Sequence, residues 1–596
     1  MRFKIKIFKI LLIILFILSL NLNADAFEPK NTILSAAELR AGDSGYLLTV
    51  IKGDAPEKIP VKILSSVGQK SLEVNNYILI KILKGEIARG MSGSPVYVRR
   101  NKRDYLIGAV SLGWDFADHT IAAVTPIDDM IKNLGRKLSA GVDANFLNNK
   151  NFAGLSVDKN LNKNFVNVIN ISGLSKGAAL KLGESLGVNV NLLNNFNNIN
   201  KNNNLEIREY NFKPGDAVSA LLAWGDVEIA ATGTVTEVDL NNKNFLAFGH
   251  EFLKRGAVNY PAAKAFIHNI IPSVSFPFKI SSPEFIAGNI TQDREAGIAG
   301  VSGYFVKSVT AELNFKNLDT GEVVKKYFRV VYDDFLTGKI LEQAFNGLLE
   351  EAWGRKGQGT MSVNLIVNAN GINNGWARKD IFYDENNIEA SALKQPNKIL
   401  NLILTQPYNK TLMPLGIRLD VEATQSAKAL LIEDIEAPES VKAGSEFKVK
   451  IKLRPWRGDA VTREFKLNMP KNAAQGSVCE LIVRGGGVQS SQQLAIEGGW
   501  LSLKSFNNML NEINALDANN EIIVELNADK LGEELNKIIK NKNIKVKNNN
   551  NKNLLLPEER EYLSETKARR IKEGNLKIFK SEYFIDGLMR RVISVE

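Results

Sequence analysis

A short glycine-rich segment contains a serine that could do chemistry. It reads Gly90-Met-Ser-Gly-Ser-Pro95 and lies between two apolar runs. A serine between two glycines favours a turn, where its hydroxyl can be exposed and nearby N–H groups can point toward a developing oxyanion. The pattern therefore predicts an exposed Ser92 Oγ, with the N–H groups of Gly90 and Ser92 forming an oxyanion hole. A plain turn explains the same residues without chemistry, because Gly, Ser and Pro are common in turns.

A serine nucleophile needs a base, and the chain contains only three histidines. His250 follows a glycine at the end of the apolar run 245–248, where a rigid element could hold its ring. His268 lies in another apolar run and is interpreted as a structural residue at a core or half-buried position on a helix. His119 lies in a polar loop and is either a surface residue or a second candidate base. We therefore favour His250.

The elements that must position these side chains are β-strands. Short apolar runs broken by glycines are typical of an antiparallel sheet or barrel, and they fill residues 27–135 and 213–330. The predicted strands are 45–51, 61–64, 77–83, 94–98 and 105–110 in the first block, and 218–224, 227–231, 233–238 and 245–248 in the second. Residues 136–212 are rich in asparagine, and we interpret them as an insertion with one short helix.

The second half of the chain has a different pattern. Residues 331–430 form an α/β connecting region with a helix at 337–353. Strict alternation of apolar and lysine residues in 447–453 predicts a β-sandwich over 431–497. Residues 498–596 are predicted to be an α+β region with an Asn-rich loop. Its predicted elements are helices near 501–516 and 558–572 and a final strand near 588–595.

The first 26 residues have the features of a signal peptide: a basic start, an apolar run at 10–20 and small residues at Ala24 and Ala26. We expect cleavage after Ala26 and a protein exported to the periplasm or elsewhere outside the cytoplasmic membrane. An uncleaved membrane anchor is the alternative. The formal charge is +11. The leader carries four basic residues and one acidic residue, so the mature chain carries +8, too little to predict a nucleic-acid partner.

Composition also limits the chemistry. A single cysteine and three histidines argue against a disulfide framework and against a metal cluster. No phosphate-binding loop of the Gly-x-x-x-x-Gly-Lys-Ser/Thr type occurs in the sequence. We therefore expect no cofactor and no metal.

Several motifs together resemble the SpoIVB-type serine peptidase family, whose members are related to trypsin. The matching segments, within about residues 35–305, are 90–95, Thr125-Pro-Ile-Asp-Asp-Met130, Gly233-Thr-Val-Thr236, Phe248-Gly-His250 and Thr291–Gly300. The resemblance implies a mainly β fold with a trypsin-like double β-barrel, built from a serine-motif and a histidine-motif half-barrel. It also implies a serine endopeptidase with Ser92 as nucleophile, His250 as general base and a protein or peptide substrate.

The sequence departs from that family in three ways. Ser92 precedes His250 by 158 residues, whereas the sporulation protease has the histidine motif first, so the half-barrels look circularly permuted. Triads tolerate several chain orders. The sporulation protease has an aspartate shortly before its serine motif, whereas residues 77–89 contain none. Asp293 is therefore the favoured orienting acid, with a solvated turn residue as the alternative. The family's peptide-binding PDZ module is not evident. A catalytically silent scaffold that binds partners in the cell envelope is therefore the second hypothesis.

Overall fold

The computed structural model is mainly β, as the sequence predicts. It describes residues 27–68, 74–134, 168–193, 205–241, 243–304, 306–372, 374–488, 505–527 and 562–596. The predicted signal peptide and the Asn-rich segments at 145–151 and 541–553 lie outside the described residues. The chain divides into two compact units. Unit 1 comprises Met1–Ser308 and Phe328–Ile340, and unit 2 comprises Val309–Tyr327 and Leu341–Glu596.

The first block of unit 1 is a closed six-stranded barrel with the strand order β1-β2-β3-β6-β5-β4. Alternate residues of one strand, Ile59, Val61 and Ile63, point into its core, as period-two burial requires. The strands are β1 (Ser44–Val50), β2 (Pro56–Gly68), β3 (Asn76–Ile82), β4 (Pro95–Arg100), β5 (Arg103–Leu112) and β6 (Ile121–Pro126). A 3-10 turn, Ala36–Glu38, precedes the barrel, and helix α1 (Ile127–Leu134) follows it. Each of the five predicted strands is present.

The described part of the predicted insertion is a strand-helix-strand unit. Strand β7 (Val168–Ser172) leads to helix α2 (Lys176–Leu186), and β8 (Asn189–Leu192) returns parallel to β7. The Ser175 side chain accepts a hydrogen bond from the Ala178 N–H at the start of α2, and Gly187, with φ of 69°, ends the helix. The predicted short helix is therefore confirmed. A two-residue strand, β9 (Glu206–Ile207), follows.

The second block of unit 1 is also a closed ring of six strands. Pairing runs in the order β10-β13-β14-β15-β12-β11, and β11 pairs again with β10. The strands are β10 (Ala217–Gly225), β11 (Glu228–Val238), β12 (Asn244–Ala247), β13 (Gly256–Ile271), β14 (Phe278–Arg294) and β15 (Gly297–Ser302). The four predicted strands are present, two of them merged into β11.

The prediction that His268 lies on a helix is wrong, because this residue belongs to the long strand β13. Its Nε2 lies 2.9 Å from Ser282 Oγ of β14. The local apolar run fits a helix and a strand equally well, because short runs lack a decisive period. Cross-strand pairing with β14 decides for the strand here.

Residues 308–424 contain a mixed sheet and three helices. Strand β16 pairs in parallel with β20, which pairs with β18, and β18 pairs with β19. The predicted helix at 337–353 is confirmed as α3 (Leu336–Trp353). The remaining elements are β16 (Ser308–Asn317), β17 (Val323–Val331), β18 (Gly359–Ala369), β19 (Trp376–Asp384), α4 (Ile388–Ala392), α5 (Lys394–Leu404) and β20 (Pro414–Thr424).

The end of unit 2 is a two-sheet sandwich. One sheet has the order β24-β23-β21-β28 and the other β22-β29-β25-β26-β27. Side chains from both sheets, including Ile451 and Leu481, share one apolar core. The elements are β21 (Ala429–Glu436), β22 (Ser440–Val441), β23 (Glu446–Pro455), β24 (Val461–Asn468), β25 (Val478–Gly485), α6 (Phe506–Ala515), β26 (Glu521–Asn527), α7 (Leu563–Glu573), β27 (Leu576–Lys580), β28 (Phe584–Asp586) and β29 (Leu588–Val595). The sandwich thus takes strands from residues 521–595 as well as from the predicted 431–497. Among the described residues, no helix is long and apolar enough to cross a membrane.

Candidate active site

The serine segment is a tight turn directly before β4. The Met91 N–H donates to the Ala88 carbonyl at 2.9 Å and the Ser94 N–H to the Met91 carbonyl at 3.0 Å. Gly90 and Gly93 have φ of 92° and 90°, a region that favours glycine. The two glycines flanking Ser92 are therefore required by the backbone, as the sequence pattern predicts.

Strand β11 of the second ring of strands holds this turn in place. The Thr234 N–H donates to the Ser92 carbonyl at 2.7 Å, and the Thr236 hydroxyl donates to the Gly93 carbonyl at 2.8 Å. On the other side, the Gly93 N–H donates to the Val110 carbonyl of β5 at 2.7 Å. The position of Ser92 is thus set by strands of both blocks of unit 1.

We expect Gly93→Ala to destabilise unit 1 by about 3 kcal/mol or more. A Cβ at Gly93 would lie 2.0 Å from the Thr234 carbonyl oxygen and 2.4 Å from the Phe248 nitrogen, in addition to the strain of positive φ. Gly256→Ala is the matched control, because Gly256 also has positive φ but no atom within 4 Å of a built Cβ. It should cost about 1–2 kcal/mol, from φ alone. Urea unfolding of the mature protein measures both, and equal losses would contradict the packing argument.

The structure distinguishes the two serines of the turn. Ser94 is fully buried, and its hydroxyl donates to the Met91 carbonyl at 2.6 Å. Ser92 is only half-buried and lines a cavity of about 50 Å³. Ser92 is therefore the serine that a substrate could reach.

The predicted oxyanion hole requires backbone N–H groups of the turn that are not already donating to a carbonyl. Those of Arg89, Met91, Gly93 and Ser94 all donate to backbone carbonyls. In the described part of the chain, the N–H groups of Gly90 and Ser92 have no such acceptor. These are the two donors that the sequence predicts for an oxyanion.

His250 lies in the loop after β12 and lines the same cavity as Ser92. The loop is fixed by Thr125, whose hydroxyl donates to the Gly249 carbonyl at 2.6 Å. The His250 Nδ1 lies 2.6 Å from the Glu251 carbonyl oxygen. Because a carbonyl can only accept, Nδ1 carries the proton and the neutral ring keeps its lone pair on Nε2. This tautomer suits a general base.

Burial lowers the pKa of His250 below its usual 6.5, while the hydrogen bond to Glu251 and the charge of Asp293 act in the opposite direction. A lowered pKa keeps the ring neutral to more acidic pH. The ring is therefore able to accept a proton throughout the neutral range.

Asp293 lies on β14 and is fully buried, which excludes the alternative of a solvated turn residue. Its carboxylate accepts hydrogen bonds from the N–H groups of Phe252 at 2.7 Å, Leu253 at 2.8 Å and Arg255 at 3.3 Å. Asp293 thus organises the loop that follows His250. Its assignment as the acid that orients the ring stays a prediction.

If Ser92 and His250 act as the sequence predicts, Asp293→Asn should lower kcat by about 100-fold, because an amide cannot accept all three N–H groups and the His250 loop would shift. The acid limb of kcat/KM should also move to lower pH, since the carboxylate raises the pKa of His250. Asp239→Asn is the matched control. Asp239 is another buried aspartate whose carboxylate accepts loop N–H groups, from Lys243 and Asn244. The Asp239→Asn variant should lose stability and keep the wild-type pH profile. If the acid limb of kcat/KM does not move in Asp293→Asn, Asp293 does not position His250.

The cavity brings the two predicted residues together, although they are 158 residues apart in the sequence. No hydrogen bond joins Ser92 Oγ to the His250 ring among the described residues. Such bonds are often long without substrate and shorten in the Michaelis complex. Of the other histidines, His119 contacts the Ser275 carbonyl at 3.0 Å, and neither it nor His268 lines the cavity.

Sequence reasoning missed several contributors to the site. Thr234 and Thr236 lie in a segment that the family resemblance singles out, but their role in holding the serine turn was not predicted, because the contacts span about 140 residues. Lys279 is buried, packs its stem against Gly90 and donates from Nζ to Thr49 Oγ1 at 2.8 Å. Burial lowers the pKa of Lys279 to about 7. Its only sequence signal is a lysine inside an apolar strand.

The described residues contain no group of three or more His, Cys, Asp or Glu side chains that could hold a metal ion. Comparison of the chain with protein-family models, with curated proteins and with solved structures gives no match.

Proposed function

We propose that the protein is an exported serine endopeptidase of the SpoIVB type, which hydrolyses peptide bonds through an acyl-enzyme. The observation that carries the proposal is the shared cavity. It brings together Ser92, the predicted nucleophile, and His250, the predicted base. The N–H groups of Gly90 and Ser92, which have no acceptor among the described residues, lie on the same turn and add the third component of acyl transfer.

In the proposed mechanism, Ser92 Oγ attacks the scissile carbonyl carbon while its proton passes to His250 Nε2. The N–H groups of Gly90 and Ser92 stabilise the negative oxygen of the tetrahedral intermediate. His250 then gives the proton to the leaving amine, the C–N bond breaks and an ester to Ser92 remains. A water, deprotonated by His250, hydrolyses the ester and releases the carboxylic acid.

The two closed rings of strands support a trypsin-like double barrel as the proposed fold. Residues 44–126 supply Ser92, and residues 217–302 supply His250. The serine ring comes first in the chain, which is the order expected of the proposed permutation. The proposal places the mature protein in the periplasm or elsewhere outside the cytoplasmic membrane. It takes a protein or peptide as its substrate.

A second candidate function is a catalytically silent scaffold that binds partners in the cell envelope. It is favoured by the absence, among the described residues, of a hydrogen bond between Ser92 Oγ and His250. The Asp293 carboxylate accepts backbone N–H groups of the loop, and this structural role would serve a scaffold as well as a peptidase.

Labelling with a fluorophosphonate separates the two functions, because the reagent reacts with an activated serine. The peptidase predicts labelling of the mature protein that is lost in Ser92→Ala and retained in Ser94→Ala, whose hydroxyl is buried. A folded mature protein that takes up no label between pH 6 and 9 would support the scaffold instead.

A further inference from the structure

The cavity beside Ser92 has mainly apolar walls. Polar groups come from Arg89, Ser111, Thr232 and His250. Its largest apolar side chains are Ile87, Val110, Val168, Phe248, Phe252 and Phe276. Apolar walls with a few polar groups are typical of a pocket that binds an apolar ligand.

Charge limits what the cavity can accept. Among the described lining residues there is no carboxylate, so a lysine or arginine side chain would lose its hydration without gaining a partner. Of the lining residues that the structure describes, Arg89 alone is permanently charged, and Asp115 already pairs with it at 2.8 Å. An acidic side chain would have to compete with that pair. The cavity therefore favours uncharged side chains.

Two exposed apolar residues lie on loops that lead to the cavity wall at Phe276. Phe116 is 77% exposed and Val274 is 87% exposed. Their loops are joined by a hydrogen bond from the Phe116 N–H to the Ser275 carbonyl at 2.9 Å, and the next residue, Phe276, lines the cavity. Phe116 also has φ of 58°, which is unfavourable for an aromatic residue. These two exposed apolar side chains are the candidates for contact with a neighbouring substrate residue.

From these features we infer the substrate class: an extended polypeptide segment with a large apolar side chain at the residue whose carbonyl Ser92 attacks. This inference rests on the proposed function. The large apolar side chain enters the cavity, and a neighbouring substrate residue contacts Phe116 and Val274. Segments of this composition are buried in folded proteins, so the substrate must be unfolded or locally exposed.

Binding can be tested without catalysis, using the mature Ser92→Ala protein and fluorescein-labelled peptides. The peptides are identical except for one central residue, which is Phe, Leu, Ala, Lys or Glu. Fluorescence anisotropy should show about 10- to 100-fold tighter binding for Phe and Leu than for the other three, the expected gain from burying such a side chain. Equal affinities, tighter binding of the Lys or Glu peptide, or no binding of any peptide would overturn the inference.

A substitution at the exposed Phe116 tests the surface without removing a buried side chain. Phe116→Asn in the Ser92→Ala background should weaken binding of the Phe peptide about 3- to 10-fold, and Asn tolerates the positive φ. Leu240→Asn is the matched control, because Leu240 is 56% exposed in unit 1 and does not line the cavity. It should leave binding unchanged. An equal effect of both substitutions would contradict the assignment of the surface.

Cleavage separates this inference from the proposed function. The wild-type mature protein is incubated with a reduced, unfolded protein, and the new C-termini are identified by mass spectrometry. Cleavage after Phe, Leu or Met supports both. Ser92-dependent cleavage after Lys or Arg would overturn the substrate class and leave the peptidase intact. Apolar preference in binding without any cleavage by the wild type would overturn the peptidase and retain the binding site.

Discussion

Replacing Ser92 with alanine is expected to lower kcat/KM for peptide hydrolysis by about ten-thousand-fold or more, which is the usual loss when a serine nucleophile is removed. The substitution removes the Oγ atom that would form the acyl bond. It leaves the Ser92 carbonyl in its hydrogen bond with the Thr234 N–H, so the turn should keep its shape. Peptide affinity should therefore change by less than about twofold. Steady-state kinetics and anisotropy measure the two effects separately.

Ser111→Ala provides the control for the Ser92 substitution. Ser111 lines the same cavity, but its hydroxyl donates to the Ala123 carbonyl at 3.3 Å. The variant should retain hydrolysis within about tenfold, because it removes one weak hydrogen bond and no reacting atom. If Ser92→Ala hydrolyses peptides as fast as Ser111→Ala, the nucleophile has been assigned to the wrong residue.

Replacing His250 with alanine should have an effect of similar size, because a serine hydroxyl is a weak nucleophile without a base. The wild-type acid limb carries independent information. Since burial lowers the pKa of His250, kcat/KM should persist below pH 6.5 and fall only as the pH passes through that lowered value. The variant should lose this limb. A pH-rate profile between pH 4.5 and 9 shows both features.

His268→Ala is the control for this second prediction. His268 lies in the same unit, contacts Ser282 Oγ and does not line the cavity. Its removal should leave both the rate and the acid limb in place. If the acid limb moves in His268→Ala and stays in His250→Ala, the group that titrates is His268 and the assignment to His250 is wrong.

Much of this site could be predicted from sequence because its key residues lie in short local patterns. The backbone has positive φ at positions 90 and 93, and this conformation favours glycine. The glycines near Ser92 are therefore visible in the sequence itself. The predicted strands of the first barrel were also correct, since their apolar residues alternate with a period of two.

The rest depends on contacts between distant segments. His268 was assigned to a helix because its apolar run has no clear period, and only the pairing of β13 with β14 shows the strand. The Nδ1 contact of His250 with the Glu251 carbonyl also escapes sequence reasoning, because it depends on loop conformation. That contact gives the ring a defined tautomer without any acidic side chain.

Asp293 illustrates a third limit. Its distance from His250 in the sequence allowed a direct hydrogen bond to the ring as well as an indirect role. The structure shows the carboxylate accepting three N–H groups of the following loop. A sequence can suggest that an aspartate lies near a histidine, but it does not show from which donors the carboxylate accepts hydrogen bonds.

The acyl-enzyme itself is the most direct test of the proposed function. The mature protein is mixed with a p-nitrophenyl ester of a short peptide ending in phenylalanine, quenched in acid during turnover, and digested for mass spectrometry. We predict one peptidyl group, attached to Ser92, together with a burst of p-nitrophenol equal to the amount of protein. A folded protein that shows no adduct, or one at any residue other than Ser92, would contradict the proposed mechanism.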